Sequence, residues 1–276
     1  MIWNAKNGTV PIGSTEMRYV SFGSGSRAVI LLPGLSDGLT TVKGKALLLA
    51  APYKQFFKDF TVYMFSRKNE LPDDYSIREM ADDQAEVMRK LGIKKAAVVG
   101  VSEGGMIAQY LAIDHADLVE RLVIAVSAPC AGDTLQAVIR SWIESAKQGD
   151  HKRLMIETAE KSYSDAYLKK YRKLYPVIGW IGKPRNYYRF LVNANAILHF
   201  NCCDDLHKID CPTLIIGGGT DQIVGCAASY QMQERIHGSE LYIYEKFGHA
   251  LYEEAPDFNK RVFDFFKISV RHTGLT

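Results

Sequence analysis

The chain has 276 residues, of which 47% are hydrophobic and 24% are charged, and its formal net charge is +3. This composition is typical of a soluble globular protein, and the length allows one large α/β domain or two smaller ones. The small net charge gives no indication of nucleic-acid binding, and no run approaches the roughly 18 apolar residues of a membrane span. We therefore expect neither a nucleic-acid partner nor membrane insertion.

The N-terminal residues and the cysteines indicate the compartment. Residues 1–8 lack the long apolar core of a signal peptide. The cysteines are odd in number and show no metal-ligand spacing, which favours reduced thiols. They are Cys130, Cys202, Cys203, Cys211 and Cys226. We expect a cytoplasmic protein that uses no metal and no cofactor.

Short β-rich segments recur along the chain, with helical stretches between them. Residues 16–22 alternate in polarity and end in a turn-forming run at 23–26, which indicates a hairpin at a sheet edge. The later segments are continuously apolar, as in parallel strands buried on both faces. They are residues 28–32, 61–65, 96–99, 122–126 and 213–216. The pattern predicts a mostly parallel, doubly wound α/β sheet with helices on both faces and with its site beyond the carboxyl ends of the strands.

The helical stretches carry two further signals. Ser76 precedes Glu79 by three residues, which is a capping box and predicts a helix that runs towards Leu91. Residues 131–200 contain helical patterns and no convincing strand, and they are too long for a plain crossover. We expect this segment to be a helical cap inserted into a core formed by residues 1–130 and 201–276.

Ser102 follows the predicted strand at 96–99 and precedes a predicted helix at 103–112. It lies in the pattern Gly100-x-Ser102-x-Gly104, in which the glycines permit the sharp strand-to-helix turn that exposes a nucleophilic serine. The amide of Glu103, at the helix N-terminus, would face a developing oxyanion. The alternative is a serine that only caps the helix. The order of strand, glycines and helix favours the nucleophile.

A serine nucleophile needs a base and an acid that orients the base. His249 lies in a glycine-containing loop just after the alternating segment 241–244, and Asp221 lies just beyond the predicted strand at 213–216. The order Ser102, Asp221, His249 is the one that this class of nucleophile elbow has along the chain. These three residues are the predicted catalytic triad.

Other histidines and acids lie in less suitable places. Asp204 and Asp205 precede a predicted strand and would lie at the wrong end of the sheet, whereas Asp133 and Asp37 remain weaker alternatives for the acid. The other histidines fall at polar helix ends, in the tail, or in the helical segment and its exit. They are His115, His151, His199, His207, His237 and His272.

The sequence resembles the α/β-hydrolase fold family, in its form with a helical cap, from residue 18 to about residue 266. The resemblance rests on Leu32-Pro33-Gly34-Leu35, on Gly100-Val101-Ser102-Glu103-Gly104-Gly105, on residues 211–217 with Asp221, and on Phe247-Gly248-His249. It implies a serine hydrolase whose oxyanion hole is formed by the backbone amides of Leu35 and Glu103. The family often has histidine where this chain has Pro33, which leaves a backbone donor intact. The serine in the elbow excludes the family's aspartate-nucleophile dehalogenases.

Residues 131–200 carry an excess of six positive charges. Tyrosines 163, 167, 171 and 175 recur every four residues, which predicts an aromatic stripe along a helix. One interpretation is a packed aromatic seam with a solvated basic face. The other is a pocket lined by some of these rings, and basic residues facing the site would favour anionic esters or acyl groups.

The expected function is hydrolysis of a small or medium carboxylic ester, lactone or thioester through an acyl-enzyme on Ser102. Carbon–carbon bond hydrolysis and perhydrolysis by the same triad remain alternatives, as does a ligand-binding protein without catalysis on the hydrolase fold. The expected partner is a small-molecule substrate. The sequence leaves open assembly into a homo-oligomer.

Overall fold

An eight-stranded sheet forms the centre of the computed structural model, which describes residues 2–268. The strands are β1 (Lys6–Ile12), β2 (Thr15–Gly23), β3 (Arg27–Leu32), β4 (Phe60–Lys68), β5 (Ala96–Val101), β6 (Val119–Ala125), β7 (Thr213–Gly218) and β8 (Glu240–Tyr244). Their order in the sheet is β1-β2-β4-β3-β5-β6-β7-β8. β1 and β2 pair in antiparallel fashion, and β3 to β8 are parallel. The predicted mostly parallel α/β sheet is confirmed.

The edge hairpin forms with a strand that the sequence analysis did not identify. β2 pairs with the preceding strand β1 through a turn at Gly13, whose φ is +55°. The Gly/Ser run at 23–26 instead connects β2 to β3, and β4 lies between these two strands in the sheet. β1 escaped detection because Asn7, Gly8 and Pro11 interrupt its hydrophobic pattern.

Helices cover both faces of the sheet. The α-helices within the described residues are α1 (Ala46–Ala50), α2 (Ile77–Lys90), α3 (Glu103–Asp114), α4 (Asp133–Lys147), α5 (His151–Ser162), α6 (Asp165–Tyr171), α7 (Tyr175–Ile178), α8 (Tyr188–Leu198), α9 (Cys226–Arg235), α10 (Leu251–Glu254) and α11 (Phe258–Lys267). The capping box predicted for α2 is present, with Ser76 and Glu79 bonding each other's backbone amides. No helix within residues 2–268 combines the length and the apolar character that crossing a membrane requires.

The core divides into two layers because side chains alternate along each strand. Ile30 of β3 packs in the cluster that contains residues of α2 and α3. Its neighbours Val29 and Leu31 pack in the cluster on the other face, which contains residues of α1 and α11. Burial on both faces explains why β3, β5, β6 and β7 are almost continuously apolar.

Between β6 and β7 the chain forms α4 to α8, and the described residues of this segment contain no regular strand. Its base is closed by an antiparallel bridge between Cys130 and Asn201. Helix α8 packs against a short 3₁₀ helix, Leu35–Gly38, which follows β3, and also against α2. That this segment acts as a cap over a site stays a prediction, and the end of the predicted second core part, including His272, lies outside the described residues.

Candidate active site

Ser102 occupies a strained turn between β5 and α3. Its φ of +56° and ψ of −121° are unusual for a residue with a side chain. The Ser102 amide donates to the carbonyl of Ala125 at 2.9 Å, which ties the turn to the end of β6. Such geometry holds the hydroxyl clear of the sheet.

The flanking glycines are required by close backbone contacts. A Cβ on Gly100 would lie 2.3 Å from the carbonyl oxygen of Gly104, and one on Gly104 would lie 2.0 Å from the carbonyl oxygen of Leu32. No larger residue fits at either position without moving backbone. The sharp turn at Ser102 that the glycine pattern predicted is therefore present, and it requires glycine at both positions.

The structure brings Ser102, His249 and Asp221 together. The Nε2 atom of His249 lies 2.9 Å from Ser102 Oγ, and its Nδ1 atom lies 2.8 Å from Asp221 Oδ2. His249 is 7% exposed and Asp221 is 8% exposed, so bulk water screens these contacts weakly. This is the geometry of a nucleophile, a base and an orienting acid.

Asp221 is held as an anion by its surroundings. Burial alone would raise its pKa, but the charge and hydrogen bond of His249 and the amides of Ile223 and Val224 hold that pKa below its ordinary value. Both amides donate to Oδ1, at 2.8 and 3.1 Å. The other carboxylate oxygen is thus left to orient His249.

The two predicted oxyanion donors lie on segments that flank Ser102. A Cβ on Gly34 would lie 3.2 Å from Ser102 Cβ, so the loop that carries Leu35 passes directly beside the serine. Glu103 is the first residue of α3. Neither the Leu35 amide nor the Glu103 amide donates to another group among the described residues. Their role as oxyanion donors stays a prediction.

The weaker candidates for the acid are not near His249 in the hydrogen-bond network. Asp37 accepts from Arg189 at 2.8 Å and from the backbone amide of Arg67 at 3.0 Å. Asp133 is an exposed residue in the first turn of α4. The geometry therefore favours Asp221.

Sequence reasoning missed Arg67, which lies near the end of β4. Its side chain is fully buried, and its Nη2 atom lies 2.7 Å from Glu103 Oε2. The sequence feature that could have indicated Arg67 is its position just beyond the apolar segment 61–65, because the parallel strands end near the site. Pairing with Glu103 could not be read from the sequence, because the two residues are 36 positions apart.

A cavity of about 530 Å³ borders the residues that flank Ser102. Gly34 and Val101 line it, together with mainly apolar side chains such as Phe56 and Phe258. Glu253 is the one charged side chain among the described residues that line it, and none of those residues belongs to 131–200. The lining of this cavity is therefore mainly apolar, and Ser102, Asp221 and His249 do not themselves line it.

The basic residues of 131–200 point mostly to solvent. All of them are exposed except Lys161 and Arg189, which are half-buried. This favours the solvated basic face over the basic pocket.

The prediction of an aromatic stripe along one helix is wrong in part. The rings of Tyr163, Tyr167 and Tyr171 stack with centroids 4.4 and 4.1 Å apart. However, Tyr163 lies after α5, and Tyr175 begins α7, so the stripe crosses several short helices. Tyr175 turns aside and donates to Glu160.

No group of three or more His, Cys, Asp or Glu side chains within residues 2–268 is arranged to hold a metal ion.

The sheet order, the elbow after β5 and the loops after β7 and β8 define the class. A family model described as the alpha/beta hydrolase fold matches residues 28–142. The chain has the α/β-hydrolase fold. Curated relatives that it resembles are named hydrolases.

Particular relatives agree with this class. Human serine hydrolase BPHL is 26% identical over 263 residues, which is 94% of this chain and 85% of that protein. A putative carbamate hydrolase, RutD of Caulobacter sp. (strain K31), is 23% identical over 268 residues, or 88% of this chain and 91% of RutD. The crystal structure of the enol-lactonase from Burkholderia xenovorans LB400 matches with a TM-score of 0.81 and 21% identity, covering 94% of this chain and 99% of that one. The last likeness bears on the fold alone.

Proposed function

We propose that the protein hydrolyses a carboxylic ester, lactone or thioester through an acyl-enzyme on Ser102. The observation that carries this proposal is the continuous contact from Ser102 Oγ through His249 to Asp221, at 2.9 and 2.8 Å. A neutral hydroxyl is a weak nucleophile, and an adjacent oriented imidazole is what activates it.

In the first half-reaction, Ser102 Oγ attacks the carbonyl carbon while His249 Nε2 takes the hydroxyl proton. Asp221 accepts the hydrogen bond from Nδ1 and stabilises the imidazolium that forms. The carbonyl oxygen becomes an oxyanion, which the amides of Leu35 and Glu103 would stabilise. When the intermediate collapses, His249 returns the proton to the leaving oxygen or sulfur, and the acyl group stays on Ser102.

In the second half-reaction, water replaces the leaving group. His249 takes a proton from that water, whose oxygen attacks the acyl carbon, and the second tetrahedral intermediate collapses to a carboxylic acid. The proton returns to Ser102 Oγ, so the enzyme ends unchanged. No external cofactor enters this balance.

The apolar cavity supports a substrate with an uncharged acyl or alcohol group. A hydrocarbon group would be removed from water against side chains such as Phe56 and Phe258, which favours binding. A carboxylate there would lie near Glu253 and would be repelled. The name of one relative, a putative carbamate hydrolase, also points to an acyl-type bond.

Residues 131–200 are proposed to act as the cap of this site. The carbonyl of Ser162 accepts from the amide of Ala250, next to His249, at 2.8 Å. Ser164 bonds Glu254 of α10 through both its amide and its hydroxyl. These contacts join the helical segment to the loop that carries the base.

The experiment combines active-site labelling with a substrate panel. A fluorophosphonate should add one label to the folded protein, at Ser102, and the Ser102→Ala variant should remain unlabelled by intact-mass measurement. Uncharged p-nitrophenyl esters and thioesters of graded chain length then define the acyl preference. Folded protein that takes no label and turns over no member of the panel would contradict the proposal and favour a ligand-binding role.

A further inference from the structure

A buried ion pair lies against both segments that carry the proposed oxyanion donors. Arg67 Nη2 donates to Glu103 Oε2 and to the carbonyl oxygen of Pro33, each at 2.7 Å. The side chains of Arg67 and Glu103 are completely buried. One of the proposed donors is the amide of Glu103 itself, and the other belongs to Leu35, two residues after Pro33. A single guanidinium nitrogen therefore spans both sides of the oxyanion site.

The backbone of Arg67 adds a second connection to the same loop. Its amide donates to Asp37 Oδ2 at 3.0 Å, and Arg189 of α8 donates to that oxygen at 2.8 Å. Asp37 lies in the 3₁₀ helix Leu35–Gly38, whose first residue supplies the proposed donor. The loop is thus tied to β4 at two points, Pro33 and Asp37.

The ion pair is poorly arranged for stability alone. Arg67 Nε and Nη1 and Glu103 Oε1 have no hydrogen-bond partner among the described residues. Burial raises the pKa of Glu103, although Arg67 opposes that rise. Apolar side chains of similar volume often stabilise a core as well as such a pair does. The pair is therefore better explained by what it holds in place.

We propose that Arg67 is a positioning residue that fixes the spacing between the Leu35 and Glu103 amides by bridging Pro33 and Glu103. This inference rests on the proposed function, because the two amides matter only if an oxyanion forms at Ser102. Arg67 acts through these backbone segments and does not touch the substrate.

Displaced oxyanion donors should affect the transition state and the bound substrate differently. The oxyanion exists only after Ser102 has attacked, so displaced donors weaken the transition state more than they weaken substrate binding. A misplacement of about 1 Å can cost about 100-fold in rate. The expected signature is a loss in kcat with little change in KM.

The main test is the double variant Arg67→Met/Glu103→Gln, which removes both charges and roughly keeps the volumes. We expect kcat for the best ester to fall about 10- to 100-fold, with KM within about threefold. Ser102 Oγ adds to the carbonyl carbon of a trifluoromethyl ketone analogue of that ester, and the adduct carries the oxyanion. The affinity of the double variant for this analogue should therefore fall by the same factor as kcat/KM.

Two further variants keep the test decisive. Arg67→Lys keeps a positive charge beside Glu103 but lacks the planar reach of arginine, so it should recover only part of the lost kcat. Arg121→Met is the matched control, since Arg121 is 4% exposed and lies towards the start of β6, whereas the site lies at the opposite end of the sheet. It should lose thermal stability and keep kcat.

The outcomes separate the two proposals. If the double variant loses only thermal stability and keeps both kcat and analogue affinity, the positioning role is overturned. If the double variant does not fold, unchanged kcat in folded Arg67→Lys and Glu103→Gln overturns it instead. Wild-type turnover that survives Ser102→Ala would overturn the proposed function itself, independently of Arg67.

Discussion

The carboxyl ends of the strands and the helical segment 131–200 differ in what determines where their side chains lie. At the carboxyl ends, Ser102, Asp221 and His249 each follow a parallel strand, and the register of the strands brings them within hydrogen-bond distance. In the helical segment, the most conspicuous feature is an excess of positive charge, and most of those cations face solvent. The position of a residue just after a strand therefore predicted a catalytic side chain. The charge excess of residues 131–200 did not predict whether their side chains face the site or solvent.

The contact between the two regions uses other groups. Tyr163 donates to Glu253 at 2.6 Å, and Ser164 bonds Glu254, so hydroxyls and carboxylates join the helical segment to the loop of His249. Arg189 is a basic residue of this segment that contacts the loop after β3, where it pairs with Asp37. Arg172, by contrast, pairs with Glu160 within the segment.

Replacing the nucleophile should have the largest effect. Ser102→Ala should reduce ester turnover by up to about a million-fold while the fold stays intact, because losses in a triad of this kind can be that large. His249→Ala should be similarly severe. Steady-state assays with a thermal melt measure both properties. Hydrolysis comparable to that of the parent, after contaminating esterase has been excluded, would refute the assignment of Ser102.

The orienting acid should matter less than the nucleophile. Asp221→Asn should lower kcat by about 10,000-fold, because the amide favours the wrong imidazole tautomer and cannot stabilise the imidazolium. Asp133→Asn is a suitable control, since Asp133 is exposed at the start of α4. Full activity in Asp221→Asn would redirect the search to Asp37.

The elbow glycines should show their effect in stability. Gly104→Ala places a methyl group 2.0 Å from the carbonyl oxygen of Leu32, so we expect the free energy of unfolding to fall by at least about 3 kcal/mol or folding to fail. Gly132→Ala is the control, because a Cβ there meets nothing within 4 Å.

That control should stay within about 1 kcal/mol, the usual cost of changing a helix N-cap. Denaturant unfolding measures both variants. Equal stabilities would mean that the close approach of Gly104 to β3 is not required.

The smallest effect concerns the exposed charges of the helical segment. We expect a neutral ester to be preferred over a carboxylate-bearing analogue of equal size, because Glu253 borders the apolar cavity. Added salt shortens the Debye length from about 30 Å at 0.01 M to about 8 Å at 0.15 M. If the cations only face solvent, the ratio of kcat/KM for the two esters should change little over that range. A selective loss for the anionic ester would show that the cations steer substrates to the site.

Much of the fold could be predicted from local patterns. Buried parallel strands are continuously apolar, so β3, β5, β6 and β7 were recognisable, and the capping box located the start of α2. The elbow was recognisable because glycine tolerates backbone approaches that no other residue tolerates. The cytoplasmic location, the possible homo-oligomer and the type of bond that is cleaved stay predictions.

The sequence by itself determined the sheet class and the places of Ser102 and His249 just beyond predicted strands, because strand ends and glycine turns are short-range features. Only the tertiary structure decided that Asp221 and not Asp37 contacts His249, and that Arg67 pairs with Glu103. It also decided that the cavity lined by Gly34 and Val101 is mainly apolar and that none of its described lining residues is basic. Each of these depends on the packing of residues distant in the chain, and a buried charge or an exposed face is defined only by what packs against it.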